Sequence, residues 1–200
     1  MSGVKQYDRS ELLDRAMDLF HRRSFNGTTT AELVEELGVN RKSMYAEFGS
    51  KQALFEAALD RYNATSLSAV LAGVEAIDAG PDAIRSTFAG FASASEEWAQ
   101  GRGCLLCNTA TERSVLAPSC GDHVDAYFDR LTRAFRNALQ VGQQAGEISP
   151  TTDLDDLAAF FTMSLIGIAT LAKGRAQPSQ IHAACRVVAD TLTTHETNSI

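Results

Sequence analysis

The sequence predicts an all-α protein, with a small N-terminal three-helix head followed by a larger helical body, and three observations lead there. Apolar residues recur at three- and four-residue spacing along most of the chain, the period of a helix with one buried face. Only four prolines interrupt the 200 residues, and no stretch alternates apolar with polar residues as a half-buried strand would. At 44% hydrophobic and 22% charged, the composition is that of a globular chain able to bury a core, which excludes a disordered polymer.

The first helix is expected from Asp8 to Arg23, with Leu12, Leu13, Ala16, Met17, Leu19 and Phe20 facing inward, and it ends near Asn26-Gly27. Thr29 stands three residues before Glu32, the spacing of a capping box, so a second helix runs from about Thr30 to Leu37. Gly38 permits the left-handed turn that follows, and Asn40 can cap a third helix from Arg41 to Phe48. Gly49 stops it, and Ser50 caps a longer helix from Lys51 to about Leu71. Gly80-Pro81 opens a helix to about Trp98, since proline fits a first helical turn. After the loop Gln100 to Gly103, a short helix is expected over Cys104 to Arg113, then a turn over Pro118 to Gly121. A long helix, Asp122 to Gln144, carries Tyr127, Phe128, Leu131, Phe135 and Leu139 on one side. Helices over about Asp153 to Lys173 and Ser179 to His195 complete the body, before a polar tail.

Two short helices joined at Gly38 describe a helix-turn-helix, the element that places a helix in the DNA major groove. The net charge of −7 argues against a nucleic-acid partner until its distribution is read. Residues 1 to 52 hold eight basic and eight acidic side chains, so the whole excess of acid lies in residues 53 to 200. On a wheel of the third helix, Met44 and Phe48 point inward while Lys42, Ser43 and Ala46 centre on the opposite face. That face is small or able to hydrogen-bond, as a groove demands. Tyr45 flanks it, and Arg41, nearer the core edge, sits in the first turn where a long side chain can swing outward. Thr29, Thr30, Asn40 and Lys51 begin helices whose free backbone donors favour phosphate.

No apolar stretch follows the polar start, so no export signal and a cytoplasmic location are expected. The most apolar run, Leu157 to Ala172, is shorter than the roughly 20 residues a bilayer needs and is broken by Thr162, Ser164 and Thr170. It reads as a buried helix, with no membrane partner.

The string Thr28-Thr29-Thr30-Ala31-Glu32-Leu33, then Leu37 to Tyr45, then Phe48-Gly49-Ser50-Lys51 and Leu54-Phe55, resembles the TetR family of regulators over about Ser10 to Tyr62. The resemblance implies a homodimer whose head, residues 1–52, binds a pseudo-palindromic double-stranded operator. It also implies a body, residues 53–200, that binds a small-molecule effector and dimerises through its last two long helices. One departure is Arg41-Lys42, where many relatives carry a glycine, so these side chains imply a different set of contacts.

Cys104, Cys107, Cys120 and His123 are spaced C-x2-C-x12-C-x2-H, which formally resembles a zinc pattern. Structural zinc usually staples small loop-rich modules rather than a large helical body, and no metal or cofactor is expected. A second reading is a thiol sensor. Cys104 and Cys107 stand at a helix start that favours a thiolate, with Arg102 beside them and Cys120 as a third candidate. The stretch Gly103-Cys104-Leu105-Leu106-Cys107-Asn108 is similar to a TetR branch with Gly-Cys-Leu-x-x-Asn here, some of whose members respond to reactive small molecules. The third reading is core packing, which also suits Cys185, placed at a dimer interface. Aromatics at helical spacing, Phe160 and Phe161 among them, are core. Phe91, Trp98 and Tyr127, which flank the cysteines, and Asn108 of the branch pattern are the candidates to line an effector pocket.

The sequence thus describes a transcription repressor released by a small-molecule or thiol-reactive effector. No nucleophile, base and orienter form one constellation, so no enzyme is expected. The rival from another class is a thiol- or metal-dependent enzyme or carrier that shares the helical fold.

Overall fold

The computed structural model describes residues 7–98 and 100–197, with the side chains of 97, 98 and 193–197 left aside. Every regular element among them is helical. The head comprises α1 (Arg9–Arg23), α2 (Thr30–Leu37) and α3 (Arg41–Phe48), each begun by a side-chain cap. Asp8 accepts from the Ser10 amide at 2.8 Å, Thr29 and Glu32 form the reciprocal capping box, and Asn40 accepts from the Ser43 amide at 2.8 Å. Gly38, at φ 66°, supplies the left-handed residue that ends α2. Leu33, Leu37, Met44, Leu54 and Phe55 close over Phe20, whose ring meets that of Phe55 edge-on at 4.9 Å.

Ser50 caps α4 (Lys51–Tyr62), which continues through a π-helical turn (Asn63–Leu67) into α5 (Ser68–Leu71). The Thr65 and Ser68 hydroxyls donate to the carbonyls of Arg61 and Asn63, drawing them from the regular ladder at this turn. The helix opened by Pro81 is not continuous to Trp98. α6 (Pro81–Ser93) stops at Ala94, whose ψ of 11° leaves the helical register, and α7 (Ser95–Trp98) follows. α8 (Leu105–Thr111) begins one residue later than expected, with Cys104 as its extended N-cap residue. The turn expected over Pro118 to Gly121 is instead the first turn of α9 (Pro118–Gln144). Ala117 is extended, and proline at the first helical position starts the helix rather than breaking the chain.

α10 (Leu154–Lys173) and α11 (Pro178–Thr197) complete the body. The helix runs past His195, and the tail beyond Thr197 lies outside the described residues. α10 packs on α9 and α11 on α6, around a triangle of Phe88, Phe135 and Phe161 with centroids 5.8–6.1 Å apart. α10 is long and apolar enough to cross a membrane, but Phe161, Leu165, Ile168 and Ala172 bury one face of it within this body. Two expectations need correcting here. Phe160 is turned outward and 41% exposed, because Phe161 takes the inner position on the same turn. Cys185 is fully buried within the single chain, so it packs in the body's own core and not at an interface.

Candidate functional site

The outward face of α3 has the composition the wheel implied. Met44 and Phe48 are buried, Arg41, Lys42 and Ala46 are exposed, and Ser43 is half-buried. The Arg41 guanidinium lies over the Tyr45 ring, 5.5 Å from its centroid, and Tyr45 Oη is 3.3 Å from Thr30 Oγ1. That bond, then Arg41, holds the phenol below its ordinary pKa. Thr30, Arg41 and Tyr45 therefore form one polar corner between α2 and α3. Asn40 spends its carbonyl on the cap, leaving its amide NH2 able to donate outward. The Thr29 hydroxyl is already given to Glu32 at 2.9 Å.

Lys51 behaves differently from its expected part. Its ammonium turns inward, donating to the Phe25 carbonyl at 2.7 Å and lying 4.0 Å from that ring's centroid. Burial holds its pKa below the usual lysine value. Arg9 engages Glu47 on α3 at 3.2 Å, tying the start of α1 to that helix.

In the body, Cys104 and Cys107 meet over one phenol. Their sulfurs lie 3.7 and 3.5 Å from Tyr127 Oη, and Tyr62 hydrogen-bonds to Cys104 from α4. The Cys107 side chain and amide both donate toward Cys104 and, with the two phenols, pull the Cys104 thiol down to about 6 against the cost of burial. Cys107 moves the opposite way, because it is the donor to a neighbouring sulfur and is itself buried. Burial and the adjacent thiols push both phenols well up.

Cys120 stands apart, accepting from Gln52 Nε2 of α4 at 2.9 Å, with its thiol raised by burial. His123 faces Asp60 at 3.5 Å. Among the described residues no three His, Cys, Asp or Glu side chains converge as a metal would need, so the zinc spacing does not become a zinc geometry. Phe91 and Tyr127 line a small cavity of about 20 Å3 together with Cys104 and Tyr62. Asn108 is buried beside it and donates to the Arg102 carbonyl at 3.0 Å, tying down the preceding loop rather than lining the space. The Trp98 side chain lies outside the described residues.

The loop before α8 is also where body meets head. His21 Nε2 is 2.9 Å from the Gly103 carbonyl, Arg102 pairs with Asp18 at 2.9 Å, and Lys173 of α10 donates to the carbonyls of His21 and Arg22. Glu112, after α8, accepts from the Phe25 amide at 3.0 Å. Sequence reasoning missed His21, Tyr62, Glu112 and Lys173. Each gains its role from a partner far along the chain, and only the histidine's place in an amphipathic helix hinted at a special residue.

Residues 12–58 match the family described as bacterial regulatory proteins, tetR family, and residues 80–188 match the tetracyclin repressor-like C-terminal domain. The chain is 28% identical over 174 residues to the uncharacterized HTH-type transcriptional regulator YezE of Bacillus subtilis, covering 86% of this chain and 90% of that protein. It is 31% identical over 176 residues to the HTH-type transcriptional repressor ComR of Escherichia coli, covering 84% and 81%. Among solved structures, it is similar to a cysteine mutant of the TetR family regulator CifR complexed with a 26 bp double-strand operator DNA. The TM-score is 0.78 at 25% identity, over 93% of this chain and 97% of that one. With its head and body each matched, the protein belongs to the TetR family of transcriptional regulators.

Proposed function

We propose that this regulator is a cytoplasmic repressor without enzymatic activity of its own. It binds a pseudo-palindromic operator as a homodimer through residues 1–52 and answers to an effector received by residues 53–200. The outward face of α3 carries this reading: Lys42, Ser43 and Ala46 face the groove, while Arg41, Thr30 and Tyr45 form a corner fit for one phosphate. Asn40 and the backbone amide of Lys51, at the starts of α3 and α4, add phosphate contacts, and Thr29 holds the α2 start in shape. The similarity to operator-bound CifR supports a head that docks on double-stranded DNA.

Fluorescence anisotropy with duplex from upstream of the gene tests this. Preference for that duplex over random sequence, weakening as salt rises, is expected. Equal affinity for both would refute it.

The buried sulfur pair favours a thiol-reactive signal. We propose that Cys104 is the responding atom, Cys107 its proton partner, and Phe91 and Tyr127 the walls around it, with Cys120 a separate thiol on the α4–α9 contact. Release of operator by a thiol reagent is then lost in Cys104→Ser; release that persists in this variant removes Cys104 from the mechanism.

A further inference from the structure

An open groove of about 710 Å3 runs along the body between α9 and the loop that follows α5. α9 turns Leu131, Phe135 and Leu139 into the core, and Thr132 and Arg136 toward Thr162 and Asp155 of α10. A third side of the helix, with Arg133, Asn137 and Gln144, is exposed and makes the groove's floor. The loop lies along that floor as a wall. At one end Arg130 holds both Glu75 oxygens at 2.6 Å, and at the other a Cβ on Gly80 would stand 3.9 Å from Val141. Ile77 stands on the wall between them, 99% exposed.

We propose that this groove is a docking surface for an extended segment of a partner protein that carries one carboxylate and, four residues away, an apolar side chain. The polar groups of the floor are uncommitted. Among the described residues, the Arg133 guanidinium and the side-chain amides of Asn137 and Gln144 have no partner, and Gln140 uses only its oxygen, which accepts from Arg136. Arg130 and Arg136 are neutralised by Glu75 and Asp155, so Arg133 is the one free cation among the described residues of the floor. A guanidinium in that state matches a single carboxylate, in a two-bonded fork. A nucleic-acid strand would need a row of such cations.

The length of the floor points to an extended chain. From Arg133 to Gln144 the helix rises about 16.5 Å, the span of about five residues of a strand. Free amides can both donate to and accept from a peptide backbone, which gives Asn137 and Gln144 a use along that path. Val141 lies about 12 Å from Arg133 along the helix and, with Ile77 above it, forms the apolar end of the groove. An extended chain puts side chains at every second residue on one face, so the carboxylate and an apolar side chain four residues on, about 13 Å away, reach Arg133 and the Ile77–Val141 pair together. A compact small molecule would leave most of this open trough uncovered.

The experiment is panning of a phage library of random heptapeptides on the full-length protein. Enriched sequences are expected to share Asp or Glu four positions from Leu, Ile, Val, Met or Phe, in either chain direction. The strongest of them, made with a fluorescein tag, is then measured by anisotropy. Arg133→Glu and Ile77→Asp are each expected to weaken it by about tenfold or more, and a peptide with Lys in place of its acidic residue to regain affinity for Arg133→Glu. Both variants keep the parent's operator affinity and urea midpoint, since neither side chain is buried or lies on the head. Enrichment without the acidic and apolar pair, or binding indifferent to both variants, would overturn the proposal. So would a change in sedimentation of the peptide-free protein on Ile77→Asp, which would assign the groove to a second copy of this chain instead.

Discussion

At the scale of the residue, similar side chains divide between the outer face of α3 and the inside of the head. Lys42 is exposed on the outer face of α3, whereas Lys51 spends its ammonium on the Phe25 carbonyl and ring. Lys42→Ala is therefore expected to weaken operator binding and to lower the salt slope of log K by about 0.9 for one phosphate lost. Lys51→Ala should leave that slope alone and instead cost about 1 kcal/mol of stability in urea unfolding. A reversed pattern would show that the two lysines had exchanged roles. His21 supplies a pH signature. Burial, then the nearby Arg102 and Lys173 charges, lower its pKa beneath the ordinary 6.5, outweighing the bond to Gly103. The unfolded chain thus takes up a proton that the folded one refuses. The stability contribution is complete above pH 6.5 and is lost as pH falls toward the lowered folded value. Urea midpoints between pH 7 and 5 are expected to fall less steeply in His21→Gln; equal slopes would place the titration elsewhere.

Helices were legible where a local rule sets them. The capping box at Thr29 and Glu32, the glycine at 38 and the caps at Asn40 and Ser50 all appear as the spacing implied. The misreadings occur where local signals conflict. Pro118 and Gly121 look like turn residues, yet the same proline starts a helix, and Gly121 allows the Arg113 side chain to lie close against α9. The outward face of α3 was legible too, because a helix wheel needs only neighbouring residues. The seam was not, since His21 and Gly103 are 82 positions apart and Phe25 and Glu112 are 87 apart, and no periodicity encodes such pairs. Gly103 shows how much one position in that seam controls. At φ +62° a Cβ would stand 2.7 Å from the Ala169 carbonyl of α10, so the α8 loop can lie this close only with glycine. Gly103→Ala is expected to cost about 1–3 kcal/mol in urea unfolding, because the loop must lift. Stability within about 0.5 kcal/mol of the parent would mean that the loop tolerates another path.

For the whole molecule, the question is how one head on each chain becomes a reader of a two-fold site. α10 leaves a stripe uncovered: Phe160, Met163, Gly167 and Leu171 fall on one side at helical spacing, with Phe160 41%, Met163 72% and Leu171 45% exposed. A Cβ at Gly167 would meet nothing within 4 Å, so that side is open for another helix to approach closely, and Val187 of α11 adds apolar surface at 57% exposure. Such a stripe beside a buried core suits a second copy of the chain, related by a two-fold axis that sets the recognition helices roughly 34–36 Å apart. Coupling two weak half-site contacts raises affinity by about 10²–10⁴ without any new contact to DNA. Met163→Glu places a charge in the middle of the stripe, which in a dimer would meet its own copy across the axis. Sedimentation is expected to show a folded monomer, and operator affinity should fall by the same 10²–10⁴, while affinity for a half-site stays within about twofold of the parent. A variant that remains dimeric would move the interface away from α10. One that becomes monomeric yet keeps full operator affinity would show that the two heads do not act together, and that an effector in the body cannot release DNA by spoiling their spacing.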